Sequence, residues 1–338
     1  MRVYGGLLAI VVLLATSTSQ VASRLEKVRA NGWVTCGVEA VVPGFAEIDA
    51  QGRYRGLDVD ICRALSAAIF GTPDKAKFVQ ARAVADFVRN DDIDVVARRL
   101  TWELRREAPL GLLFGPITFY DGQGFLVSKT LRARTPRQLA GTDICVAGGT
   151  VFELNLNSYG TARSLTFKKT ILESATKFED IAAELTSGRC RVYTADVSEL
   201  GAIRYKTGHP EQFEILSELI SREPLAPLVR ADDPQFFSIL RWTFFALLRA
   251  EELGVTSKNV DEMRKSPSDE VRRLLGVIPG NGEALGLRES WAYDAIKAIG
   301  NYGEMFDRNV GRGSPIKLDR RLNRLSTAGG LMFAPPLR

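Results

Sequence analysis

Between Trp33 and Ala97 strand-like and helix-like runs alternate in an order that leaves few folds open. Trp33–Val38, Lys77–Gln80 and Asp94–Ala97 read as strands. Between them, a helix from Asp58 to Phe70 carries Ile61, Cys62, Leu65, Ala68 and Ile69 on one stripe, with Asp58 as its expected cap. A second helix is expected over Ala83–Asn90. This β-α-β-α-β order predicts a parallel sheet with helices on both faces. Ligands of such sheets bind beyond the carboxyl ends of the strands. That rim would hold Glu39–Phe45, after the first strand, and Arg98–Arg106, after the third.

The pattern restarts at Gly124. Strands are expected at Gly124–Ser128, Asp143–Ala147, within Ser164–Leu172 and at Arg191–Thr194. Helices are expected at Thr135–Ala140, Val151–Tyr159, Lys177–Thr186 and Leu200–Thr207. Glu214–Ile220 and Leu225–Val229 read as strands and Pro234–Glu252 as a long amphipathic helix. A mostly helical remainder ends in the extended tail Phe333–Arg338. Two β/α units in one chain predict two lobes of an α/β fold.

Residues 1–23 stand outside this pattern. One cation, Arg2, precedes the apolar run Leu7–Ala15 and a small polar tail, Thr16–Ser23. This is the order of a cleavable secretory signal, with a cut after Ser23 or nearby, and the apolar run is too short to span a bilayer. No later run reaches spanning length, so an exported, soluble chain is expected. Its four cysteines then favour two disulfides. Three pairings are open. The sequence-local one, Cys36–Cys62 with Cys145–Cys190, closes one loop in each half and is preferred. A zinc site is disfavoured, because no CxxC occurs and His209 is the only histidine. With 45 Lys and Arg against 40 Asp and Glu, the charge is mixed and suggests no nucleic-acid partner.

No nucleophile with a partner base is evident, and no cofactor motif; Gly148-Gly149-Thr150 lacks the ending of a phosphate loop. Asp94–Glu107 is the most suggestive stretch, with Arg98, Arg99, Arg105 and Arg106 in nine residues. Arg offers a planar fork to a carboxylate. Arg98 and Arg99 read as surface or rim charges. Thr150 with Glu153 fits a capping box before the Val151 helix, whose remaining first-turn amides could hold a carboxylate. Asp196 reads either as the cap of the next helix or as the counter-charge of a ligand ammonium.

Taken together, the segments resemble the extracytoplasmic solute-binding proteins of polar amino-acid ABC transporters, solute-binding family 3, and within them the general L-amino-acid receptors. The resemblance is carried by Cys36-Gly37-Val38, Gly56-Leu57-Asp58-Val59-Asp60, Tyr120-Asp121-Gly122-Gln123-Gly124-Phe125, Gly188-Arg189-Cys190, Asn301-Tyr302-Gly303-Glu304 and Ala334-Pro335-Pro336. It implies a periplasmic clamshell of type II with a helical C-terminal extension, monomeric and without a cofactor. It further implies delivery of an L-amino acid to a membrane permease. Lobe 1 would comprise residues 24–123 and 225–338, and lobe 2 residues 124–224.

The family's Thr-x-Thr-x-x-Arg pattern falls on Thr101-Trp102-Glu103-Leu104-Arg105-Arg106. It implies that Arg106 and Thr101 hold the ligand α-carboxylate together with Thr150 and the amide of Val151. Asp196 would take the α-ammonium, and Glu39 and Phe45 would line the side-chain pocket. Glu103 departs from the pattern. It could pair with Arg99 or Arg106, or favour a basic ligand. A divergent paralogue that binds another small carboxylate or acts as a sensor partner is the alternative reading. A dehydratase-like enzyme on the same fold is a further one, with Glu103 its single candidate catalytic group.

Overall fold

A computed structural model of the chain describes residues 22–81, 83–173 and 176–338. Most of the expected signal segment, residues 1–21, lies outside them. Ser23, the last residue of that segment, caps the Arg24–Asn31 helix through a reciprocal capping box with Glu26.

Two five-stranded sheets share one plan. In the first, Ala76–Gln80, Val34–Val38 and Val95–Val96 run parallel, and Leu228–Arg230 and Leu112–Phe114 complete the order. In the second, Lys168–Leu172, Asp143–Ala147 and Val192–Asp196 run parallel, followed by Gln123–Ser128 and Phe213–Ile215. The three strands from which a parallel sheet was expected do run parallel, and in each sheet a further strand makes the whole mixed. Leu228–Arg230 is antiparallel to both its neighbours, and so is Gln123–Ser128. The reason is connectivity. A strand arriving directly from the other lobe needs no helical crossover, so it can enter in the opposite direction.

Two short strands, Phe119–Asp121 and Glu223–Leu225, pair antiparallel between the sheets, with Glu223 opposite Asp121. The expected strand Leu225–Val229 is thus two strands, interrupted at Ala226-Pro227, because proline withholds the N–H a continuous ladder needs. Glu214–Ile220 contracts to Phe213–Ile215, and Thr135–Ala140 to the 3-10 turn Pro136–Leu139.

The core of the first lobe forms between Leu57–Phe70, Pro234–Glu252 and Trp291–Ile299, where Leu65, Ile239, Leu247, Trp291 and Ile296 are buried. Trp291–Ile299 supplies Trp291, Ala292, Ala295, Ile296 and Ile299 at the spacing of one helical face. Each half carries one disulfide, Cys36–Cys62 and Cys145–Cys190, with Cα separations of 6.3 and 5.8 Å. Both tie a strand to a neighbouring segment beneath the same lobe, in the pairing preferred from the sequence.

The C-terminal segment returns across both lobes. Asn323 is hydrogen-bonded to both backbone groups of Tyr120, accepting from its N–H at 2.6 Å and donating to its carbonyl at 3.0 Å. The Arg321 guanidinium donates to the Leu216 carbonyl at 2.9 Å, and Arg204 donates back to the Ile316 carbonyl at 2.7 Å. No described helix is long and apolar enough to cross a membrane.

Candidate functional site

The seam between the lobes is built from turns that follow strand ends. After Val95–Val96 the chain turns at Arg99, whose φ is +56°. An L-residue rarely adopts this left-handed backbone. Asp58 is buried beside it, and the positive charges of Arg99 and Arg98 oppose the effect of that burial on its carboxyl group. Asp58 is not the helix cap expected from the sequence. Gly56 holds that position at φ +131°, and a Cβ there would lie 2.1 Å from the Phe45 carbonyl oxygen. That close approach lets the backbone cap the helix. The Gly44 and Phe45 carbonyls accept the Leu57 and Asp58 N–H groups at 2.9 and 3.0 Å.

Arg98 and Arg99 are not rim charges. Their side chains are 14% and 10% exposed, and that of Arg99 enters the seam. Arg98 donates to Glu39 Oε2 at 2.9 Å. Arg99 lies 3.7 Å from the same oxygen and reaches the other lobe, donating to Ser198 Oγ and Glu199 Oε1, each at 3.3 Å. Burial works against its charge, yet Glu199, Glu39, Asp58 and Asp121 hold its pKa above the ordinary value. The sequence showed no sign of this, because Glu199 lies 100 residues away. Phe45 is buried under Arg99, with the guanidinium 5.8 Å from its ring, and packs edge-on to Phe119. Glu39 is thus at the seam, while Phe45 forms its floor.

Arg106 lies one turn beyond. Its Nε is 2.9 Å from Glu103 Oε1, and its Nη1 donates to the Thr101 carbonyl at 3.1 Å. Of the two partners expected for Glu103, the structure has Arg106, three residues along the same short turn. The side chains are 36% and 48% exposed, so the pair is readily exchanged for another carboxylate. The Thr101 hydroxyl donates to Glu223 Oε2 at 2.9 Å, and Ser221 donates to the other oxygen at 2.8 Å.

The second lobe contributes two helix starts. Thr150 precedes Val151–Arg163, but its hydroxyl donates to the Ala147 carbonyl at 2.7 Å and does not cap the helix. Glu153 reaches back past the cap, accepting from Gly149 N–H at 3.1 Å, so the capping box expected from the sequence does not form. Val151 is 55% exposed. Asp196 precedes Val197–Lys206 and likewise makes no side-chain cap. Its Oδ1 is enclosed and has no hydrogen-bond partner. Burial raises its pKa well above the carboxylate range, and Asp121, Glu199 and Glu223 add repulsion that Arg99 partly offsets. Asp121 is pushed up to about 6 by burial, opposed by bonds from Ser198 and Gly122 and by Arg99. Asp58 is pushed up to about 7 by burial, opposed by Arg99 and Arg98.

Turns from two lobes thus meet at this seam and bring side chains of both charges together. Residues 34–291 match the family described as bacterial extracellular solute-binding proteins, family 3. This chain belongs to that family. It is 43% identical over 331 residues to the general L-amino acid-binding periplasmic protein AapJ of Rhizobium johnstonii, covering 97% of this chain and 96% of that protein. The glutamate/glutamine/aspartate/asparagine-binding protein BztA of Rhodobacter capsulatus is 40% identical over 337 residues, covering 98% of each chain. A solved ABC transporter periplasmic binding protein from Brucella ovis with glutathione bound superposes with a TM-score of 0.84. It is 41% identical, and the match covers 94% of this chain and all of that one. As a member of the family, this chain is a two-lobe solute-binding protein.

Proposed function

We propose that this solute-binding protein works in the periplasm, reached through cleavage of the N-terminal signal, and delivers L-amino acids to the permease of an ABC importer. The observation that carries the reading is the enclosed, unpartnered Oδ1 of Asp196. A buried carboxylate without a donor is costly, and a ligand ammonium would supply the donor. Arg106 and Thr101 take the α-carboxylate from the first lobe. Thr150 and the Val151 amide, at the start of a 13-residue helix, add donors from the second. Glu39, Arg99 and Glu103 border the side-chain region. Residues 24–123 with 225–338 form one lobe and residues 124–224 the other, joined where Phe119–Asp121 pairs with Glu223–Leu225. The protein acts as a monomer, as a receptor and not an enzyme. Glu103, the one catalytic candidate read from the sequence, is tied to Arg106.

Calorimetric titration with each of the twenty L-amino acids tests the reading; at least one should bind, and a flat response to all would sink it. Arg106→Ala should weaken that binding by at least about 100-fold, the scale of losing a bidentate charged contact, with an unchanged far-ultraviolet spectrum. Near-parental affinity would remove Arg106 from the site.

A further inference from the structure

Gln123 and Asp196 lie directly opposite each other in the antiparallel pairing of Gln123–Ser128 with Val192–Asp196. Opposed residues of such a pair project from the same face. Gln123 is fully buried, and its amide Nε2 is committed, donating to the Phe152 carbonyl at 2.9 Å and to Thr194 Oγ1 at 3.0 Å. That fixes Oε1 as the free end, and Oε1 is enclosed with no hydrogen-bond partner. Two neighbouring buried acceptors thus lack a donor, and native interiors rarely leave such groups unpaired.

The charges around them are unequal. Six carboxyl groups meet at the seam, those of Glu39, Asp58, Asp121, Asp196, Glu199 and Glu223, and their fields overlap on Asp196, Asp58 and Arg99; burial holds Asp196 and Asp58 toward the neutral form, so neither counts fully toward the negative charge there. The guanidiniums paired with them are those of Arg98 and Arg99, bound to Glu39 or Glu199, and Arg321 acts on Asp121 from the C-terminal segment. Arg106 is neutralised by Glu103 and would exchange it for the solute carboxylate.

We propose that the seam selects solutes of net positive charge, with Gln123 Oε1 joining Asp196 Oδ1 as acceptor for the solute ammonium group and the surplus carboxylates repelling acidic solutes. This rests on the amino-acid-receptor reading above. It narrows that reading to amino acids with a cationic side chain and adds Gln123 as a binding residue. A glutamate or glutathione carboxylate placed here would meet an already surplus negative charge, and like-charge juxtaposition is an effective way to reject a partner.

The test is calorimetric titration of the full mature chain with L-lysine, L-arginine, L-glutamine, L-glutamate and glutathione. Lysine or arginine should bind at least about tenfold more tightly than each of the other three. Tightest binding of glutamate, glutamine or glutathione overturns this inference and leaves the receptor reading standing. No binding by any of the twenty amino acids overturns the receptor reading, and this inference with it. Glu199→Gln removes one carboxylate while keeping an acceptor for Arg99, so the lysine-to-glutamate affinity ratio should fall severalfold; an unchanged ratio counts against the charge argument. Gln123→Leu removes the second acceptor and should weaken lysine binding by about tenfold. If Gln123→Leu melts early, Gln123→Glu serves instead. A charged acceptor there should tighten lysine relative to glutamine, and the reverse order overturns the role of Gln123.

Discussion

Arg99 illustrates how much a single residue here depends on its surroundings. A left-handed backbone costs a non-glycine residue about 1–2 kcal/mol, and burying a guanidinium costs more unless it is paired. Glu39, Ser198 and Glu199 offset the second. The burial of Asp58 in turn gives stability a pH dependence. Its pKa is pushed up to about 7 when folded, so between about pH 4 and 7 the folded chain binds more protons than the unfolded one. This contribution is fully present below the unfolded pKa and is lost as pH rises through about 7. Asp121, pushed up to about 6, acts in the same direction. Asp91 acts oppositely at the acid end, held down at about 2 by hydrogen bonds from Arg24 and Lys27. The melting temperature should therefore be higher at pH 5 than at pH 8, and Asp58→Asn should flatten that decline. An identical decline in the variant would clear Asp58 of responsibility.

At the scale of elements, the two sheets repeat one design with different reinforcement. Each begins with three parallel strands, accepts one antiparallel strand arriving through the interlobe connection, and is stapled by a disulfide. The bridge Cys145–Cys190 closes 45 residues of chain, and Cys36–Cys62 closes 26. In the chain-entropy account each stabilises its lobe by about 3–4 kcal/mol, slightly more for the longer loop. Replacing Cys145 and Cys190 together by serine should lower unfolding stability by that order in urea titration. It should leave ligand affinity near the parental value, because neither sulfur lies at the seam. A large loss of affinity with parental stability would contradict this separation. The helix starts at Asp196 and Thr150 make the complementary point. Neither side chain satisfies its own helix: after Asp196 the Gly122 carbonyl and the Asp121 carboxylate take the Val197 and Ser198 amides, whereas the helix after Thr150 keeps first-turn amides for another partner.

Over the whole molecule, two links between the lobes differ in kind. The backbone link is the pairing of Phe119–Asp121 with Glu223–Leu225, reinforced by Asn323 on Tyr120. A side-chain link at the seam itself is Arg99, which bonds Ser198 and Glu199; Arg204 and Arg321 add others through the C-terminal segment. The first permits a hinge, and the second favours closure even without a solute. Arg99→Asn should enlarge the radius of gyration of the ligand-free protein in X-ray scattering, and adding ligand should bring it back down. Equal radii for parent and variant would show that Arg99 does not hold the lobes together.

The order of strands and helices was legible in the sequence because apolar period and turn residues are local properties. The preferred disulfide pairing, the long Pro234–Glu252 helix and the two-lobe plan followed from the same local signals. Local signals failed where a distant backbone intervened. Gly44 and Phe45 carbonyls replaced Asp58 as the cap, and a strand from the other lobe made each sheet mixed. The sequence marked Asp94–Glu107 as unusual through its arginines, but it did not distinguish which of them enter the seam. That was decided by the tertiary structure, since the partners of Arg99 lie near residues 39, 58 and 199, and only folding brings those carboxylates within reach of one guanidinium.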